Sequence, residues 1–336
     1  MFLRFWRAEN RFANFLATLL GLGAIGGFRL MDDPQPVGAD PVVGRPVAAM
    51  SLPILSSFSP PPVVVASAPP AKSGAAGAVE TVPAPSAAAP QAAADPHKLT
   101  GRWAMQVSMM LMQQGLEKFS QIPYYRAKFY KQEVVKGTLL EGQEIDLKMG
   151  HSPFSVYMKF RSGDKGRQAI YVDGQHDNQL LVQPGGVAGR LSGTLKFAID
   201  ADLVMAENRH PVTQIGLVEL ARTITAKQME DLQRNAPFHC ELTDDATFED
   251  RPCYKCVVGF SAPLPDREYR KAEFLIDKEL KMPVCVRNFG WGPKGEPVSD
   301  DESLIEHYAY SEIEATDTLS SNDFDPKNKK YYMRMK

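Results

Sequence analysis

An α+β fold with a mostly antiparallel sheet is predicted for residues 97–336 of this 336-residue chain, and three features predict it. Apolar and polar side chains alternate with period two through many short segments. Polar or Gly-containing turns separate several of them, and two longer stretches carry helical spacing. The helical stretches interrupt the strand series instead of alternating regularly with it, which speaks against a doubly wound parallel sheet. Most of the charged and aromatic residues fall within 97–336, so one domain with one sizeable core is expected there.

The elements follow in chain order. A helix is predicted over 100–119, with Thr100 as its cap, Trp103, Val107, Met110, Leu111 and Gln114 at helical spacing, and Pro123 beyond its end. Strands are predicted at 125–134, 144–149, 154–160, 168–172 and 179–183. In the second of these Ile145, Leu147 and Met149 oppose Glu144, Asp146 and Lys148. In the third, Phe154, Val156, Met158 and Phe160 oppose Ser155, Tyr157 and Lys159. Ser162-Gly163-Asp164 and Asp173-Gly174 read as turns of a meander. A second helix is predicted over 213–235, with Leu217, Leu220, Ala221, Ile224, Gln228 and Leu232 in phase and Pro237 just past it. Four more strands close the chain, at 252–260, 269–276, 283–289 and 303–310.

Residues 1–33 read as a signal peptide or membrane anchor. Arg4, Arg7 and Arg11 precede an apolar stretch over 12–28, and Ala24 and Gly26 supply small residues before Gly27 for a peptidase. The stretch is also near the lower limit of roughly 17–25 residues for a spanning helix, so an uncleaved membrane tether stays open. No Cys follows the apolar run, which excludes lipoprotein attachment there. Residues 34–96 are dominated by Pro, Ala, Val, Ser and Gly with few charges. Such a composition lacks the apolar surface for a core and predicts a disordered, semi-extended linker. An exported, periplasmic or cell-envelope location is expected, secreted or anchored.

A formal net charge of −2 provides no field for polyanions, so no nucleic-acid partner is expected. Lys327, Lys329, Lys330, Arg334 and Lys336, with Tyr331 and Tyr332 among them, read as a solvated basic terminus. Cys253 and Cys256 have the spacing of a metal pair, but on a strand their side chains diverge, so no metal is expected. With Cys240 and Cys285 they form disulfides in an oxidising compartment or stay as free buried thiols. His210 is the one acid/base candidate, and the sequence names no partner for it, so a structural role with Thr213 at the helix entry is expected. Gly-x-Ser-x-Gly, His-Glu-x-x-His and phosphate-loop patterns are absent. Neither a cofactor nor an enzymatic activity is indicated.

Several stretches in one order carry a resemblance. Tyr130-Lys131-Gln132-Glu133, Pro153-Phe154-Ser155-Val156-Tyr157-Met158, Arg209-His210-Pro211-Val212-Thr213 with Gly216-Leu217, Arg251-Pro252-Cys253-Tyr254 and Asp323-Phe324-Asp325 together resemble the bacterial family called domain of unknown function 1571. That family transfers no mechanism. The strand order, with Phe274-Leu275-Ile276-Asp277 running on to Met282-Pro283-Val284, is also similar to the periplasmic lipoprotein-carrier architecture. This second resemblance implies a strongly curved antiparallel half-barrel wrapped around two main helices, with an apolar cavity for acyl chains. The ligand it implies is a lipid or lipoprotein, lined by Phe129, Phe154, Val156, Met158 and Phe160. Two outcomes stay open: such a ligand in a hollow interior, or an interaction or sensor module whose core is filled.

Overall fold

Period-two alternation is realised as a single large sheet. The computed structural model describes residues 97–234, 237–331 and 333–335, and the expected leader (1–33) and linker (34–96) lie outside the described residues. The chain enters through β1 (Lys98–Thr100) and helix α1 (Gly101–Phe119). Strands β2 (Tyr124–Val135), β3 (Thr138–Leu139), β4 (Gln143–His151), β5 (Phe154–Phe160), β6 (Gln168–Val172), β7 (Gln179–Gln183) and β8 (Leu195–Ala198) follow as a meander. Helix α2 (Leu217–Arg234) then leads to a second meander: β9 (His239–Phe248), β10 (Arg251–Gly259), β11 (Lys271–Asp277), β12 (Pro283–Phe289) and β13 (Leu304–Ala315).

All pairings are antiparallel. The 13-stranded sheet runs β1-β9-β10-β11-β12-β13-β2-β4-β5-β6-β7-β8, with β3 beside β2. It is not closed, because β1 and β8 stand at opposite ends of this order. The two meanders join where β13 pairs with β2, and Phe129 there stacks on Tyr310 with ring centroids 4.6 Å apart.

Most strands coincide with the alternating segments, and three differences are instructive. Strand β9 was not expected, because only Cys240 and Leu242 of its residues are buried apolar groups; pairing with β10 sets it, not a stripe of its own. Helix α1 is rotated from the expected face, of which Val107 and Leu111 are half-buried against the core. Ala104, Met105, Ser108, Met112, Gly115 and Phe119 are buried, whereas Trp103 is 59% and Met110 55% exposed. Thr100 sits at its N-cap without a side-chain capping bond, since its backbone belongs to β1.

The third difference is the C-terminus: its basic side chains Lys327, Lys329, Lys330 and Arg334 are exposed as expected, but the segment that carries them is packed on the sheet. Phe324 and Met333 are buried with Tyr157, Ile170, Val172 and Leu181 on the sheet face opposite the helices. Tyr331 stacks on Tyr157 at 4.1 Å between centroids, and Lys148 Nζ lies 2.7 Å from Asp323 Oδ1. Apolar surface on that face therefore leaves water as well.

The helices cover the inner face. On one half Ala104, Met105 and Met112 of α1 pack with Cys240, Leu242, Cys256, Phe274 and Val286. On the other, Leu217, Val218 and Ala221 of α2 pack with Tyr125, Leu147, Met149 and Tyr310. Gly115 permits the approach of α1, because a Cβ there would stand 2.3 Å from the Lys281 carbonyl oxygen. The start of α2 is capped by the sheet: Gly216 N–H donates to Tyr310 Oη at 3.1 Å and Leu217 N–H to Tyr125 Oη at 3.0 Å. Two otherwise unpaired helix donors are thereby satisfied, at a glycine whose φ of +104° suits it alone.

Candidate functional site

Between α2, the inner sheet face and the segment 203–215 lies a cavity of ≈ 420 Å³. Its apolar wall is built by alternation on successive strands: Phe129 of β2, Ile145 of β4, Met158 and Phe160 of β5, and Leu180 and Val182 of β7. Leu220 and Ile224 of α2 close it from the other side.

Of the five residues expected to line an apolar site, Phe129, Met158 and Phe160 border this cavity. Val156 is fully buried in the core beside it, and Phe154 borders a second cavity of ≈ 120 Å³ next to Tyr125 and His151. The stripe is continuous along β5, but the ≈ 420 Å³ cavity borders only its C-terminal half.

The opposite part of the wall is polar, and strand register assembles it. Asn288 of β12 lies directly across from Glu306 of β13, which lies directly across from Glu133 of β2. Two carboxylates facing each other on one sheet face repel, so the row stands only because donors surround it. Glu306 accepts from His210 Nε2 at 3.0 Å, Tyr269 Oη at 2.8 Å and Asn288 Nδ2 at 2.6 Å. Glu133 accepts from Lys131 Nζ at 3.1 Å and from the Arg209 backbone N–H at 2.9 Å. The Tyr308 hydroxyl stands between them, 2.5 Å from Glu133 Oε1 and 3.2 Å from Glu306 Oε2.

The ionisation of these groups follows from their partners. Burial pushes the Glu306 carboxyl up, but His210, Asn288 and Tyr269 together hold it below its ordinary value. It is therefore a carboxylate, able only to accept, so His210 donates through Nε2. Burial, then the charges of Glu306 and Glu133, push the Tyr308 phenol far up, and burial lowers the Lys131 ammonium against the pull of Glu133.

His210 thus gains the carboxylate partner that the sequence could not name. The row also anchors the segment over the cavity: Arg209 Nη1 donates to the Val134 carbonyl at 3.2 Å, and Lys131 reaches Asn208 and, at 3.3 Å, the Glu207 carbonyl. Sequence alternation carried a signal for this polar wall, because Lys131 and Glu133 continue the inward positions of Tyr125, Ala127 and Phe129. His210 and Thr213 were expected at the helix entry, whereas the cap is made by the two tyrosines.

The four cysteines are buried free thiols. Cys240 and Cys256 Sγ atoms are 3.9 Å apart, and Cys253 lies on the other face. Burial pushes the Cys253 and Cys285 thiols up to about 11, and the Cys240 contact together with burial raises Cys256. Protonated thiols are poor ligands and poor nucleophiles. Among the described residues no group of three His, Cys, Asp or Glu side chains could hold a metal ion. Nor is any helix among them long and apolar enough to cross a membrane.

The profile of the family described as "Protein of unknown function (DUF1571)" matches residues 122–333. No curated protein matches the chain. Among solved structures, the chain is similar to a DUF1329 family protein from Desulfovibrio piger, with 8% identity and TM-score 0.34, over 66% of this chain and 97% of that one. It is similar to the lipoprotein LppX of Mycobacterium tuberculosis, with 11% identity and TM-score 0.34, over 62% and 95%. A LolA superfamily protein from Nitrosomonas europaea aligns with 10% identity and TM-score 0.29, over 64% and 97%.

Proposed function

The chain belongs to the DUF1571 family, and for this member we propose non-catalytic binding of an apolar ligand, the acyl part of a lipid or of a lipidated protein, between the sheet and α2. One observation carries the proposal: the ≈ 420 Å³ cavity walled by Phe129, Met158, Phe160, Leu180 and Val182. Pockets that hold small molecules span roughly 300–1,000 Å³, with apolar walls and a few placed polar groups. Methionine and aromatic walls suit a flexible guest, because they adapt without exposing polar atoms. In this proposal the sheet bends around the helices as a half-barrel. The apolar leader and Pro/Ala-rich spacer extend it to a secreted or tethered protein of the cell envelope.

Organic extraction of the purified full chain followed by mass spectrometry tests the proposal, together with titration of a fluorescent acyl probe. Co-purified lipid is expected, as is saturable probe binding that Ala169→Trp weakens at least about tenfold by filling the cavity that Ala169 borders. Absence of both lipid and probe binding would sink it. So would probe binding that is unchanged in a variant with an intact circular dichroism spectrum. A second proposal, docking of a partner protein, is favoured by Trp103 and Met110, which α1 turns outward on one face. It requires partner capture that Trp103→Lys abolishes and Ala169→Trp leaves intact.

A further inference from the structure

We propose that the apolar guest enters and leaves through the seam between the 3₁₀ turn Val212–Gln214 and helix α2, at Gln214, Thr223 and Lys227; this rests on the cavity binding proposed above. Exposure marks the place. Of the described residues that border the cavity, these three alone are exposed. Helical spacing shows why two of them are. Leu220, Ile224, Gln228 and Asp231 form the inward stripe of α2, with Gln228 and Asp231 buried, and Thr223 and Lys227 lie one turn apart along its flank. That flank is where the helix surface turns from the interior to solvent, and Gln214 borders the same cavity from the segment 203–215.

The distribution of polar ties is a second observation, independent of exposure. Segment 203–215 is fastened to the sheet and its loops. Glu207 accepts from Arg167 Nη1 at 2.7 Å, Asn208 accepts from Lys131, and Arg209 and His210 reach Glu306 at 3.2 and 3.0 Å. Helix α2 is fastened elsewhere: its first N–H donates to Tyr125 Oη at 3.0 Å, Gln228 Nε2 donates to Ser108 Oγ of α1 at 2.9 Å, and Asp231 pairs with Arg267. Among the described residues, no hydrogen bond or ion pair joins 203–215 to 217–234. The seam is closed by apolar packing, with Val212, Ile215 and Leu220 in one cluster. Parting a hydrogen-bonded boundary strands buried donors and acceptors, whereas apolar contacts are non-directional and re-form around an alkyl chain. An acyl chain that slides between these side chains takes no polar group out of water. Of the boundaries of the cavity, this one therefore opens at the least cost.

Stopped-flow mixing of a fluorescent acyl probe with full-length variants tests this. Thr223→Cys places a thiol on the seam. Ala226→Cys places one at an exposed position of the same helix that does not border the cavity. Lys196→Cys places one on edge strand β8, beside Phe197 of the cavity lining, where a passage at the open end of the sheet would lie. The four native thiols are buried, so a maleimide carrying a polyethylene glycol chain reacts at the added one. The label at Thr223→Cys should slow association and dissociation together by at least about tenfold, because a blocked passage raises the barrier in both directions. Labels at the two other positions should leave both rates within about twofold of the unlabelled protein. Lys227→Cys should repeat the Thr223→Cys result, and it replaces that variant if circular dichroism shows the latter unfolded. The inference is overturned, while cavity binding stands, if the probe binds and the seam label does not slow both rates. It is equally overturned if the label at Lys196→Cys or Ala226→Cys slows exchange as much. If no probe binds the unlabelled chain, the cavity reading fails and this inference with it.

Discussion

Glu306 shows how much a single buried side chain can organise. Its two oxygens gather donors from β11's approach, β12, β13 and the 207–210 segment, namely Tyr269, Asn288, Tyr308 and His210. Removing Glu306 leaves these donors, and the Arg209 guanidinium whose Nε lies 3.2 Å from Glu306 Oε2, without their acceptor, at a cost on the order of 3–5 kcal/mol for breaking a buried ion pair. We expect Glu306→Leu to lower unfolding free energy by about that amount, and Glu306→Gln to cost distinctly less, because the amide keeps an acceptor oxygen. Urea unfolding of the three proteins checks this. Equal stability for the leucine variant and the unaltered chain would contradict the network. His210 was visible in the sequence as a candidate, but a lone histidine has no role until a partner is placed beside it, and Glu306 is 96 residues away.

At the scale of elements, helix α1 is the sharpest case. Its sequence is apolar on more than one side, so helical spacing alone does not choose the buried face. The approach of the Lys281 carbonyl at Gly115 and the hydrogen bond of Gln228 Nε2 to Ser108 Oγ at 2.9 Å choose it. Met112, fully buried, and Trp103, largely exposed, then carry opposite expectations. Met112→Ala should destabilise by roughly 2–5 kcal/mol through lost burial and a residual cavity. Trp103→Ala should stay within about 0.5 kcal/mol. Chemical denaturation of both decides the register of the helix, and a larger loss at Trp103 would reverse it. Strand β9 makes the same point from the sheet: it has no apolar stripe of its own and exists because β10 and β1 pair with it.

For the molecule as a whole, acid is the weak direction. Glu273, Asp277, Asp300, Glu306 and Asp323 are all held below their ordinary values. Burial raises each, but bonds to Arg287, Arg251, Lys271, His210 and Lys148 respectively, with further donors, outweigh it. A carboxyl whose folded value is depressed contributes stability above its unfolded value of 3.8 or 4.5 and loses it as pH falls through the folded value. His151 and His307 are lowered from 6.5 by burial, so they work in the same direction at a higher pH. The melting temperature should therefore decline as pH drops below about 6.5 and fall faster below about 4. Thermal melts followed by circular dichroism check this, and a melting temperature that rises on acidification would refute it.

Alternation of side chains is a local property of extended backbone. The sequence alone therefore determined that Phe129, Ile145, Met158 and Phe160 face one interior, where most strands lie, and that two long helices interrupt an antiparallel series. It also carried, in Lys131 and Glu133 at inward positions, the mark of a polar wall. Only tertiary structure decided that Glu133 meets Glu306 across strands far apart in the chain, that Arg209 and His210 close over them, and that the space beneath stays hollow. Those outcomes depend on register between β2 and β13 and on where α2 comes to rest, and neither is a property of any one segment.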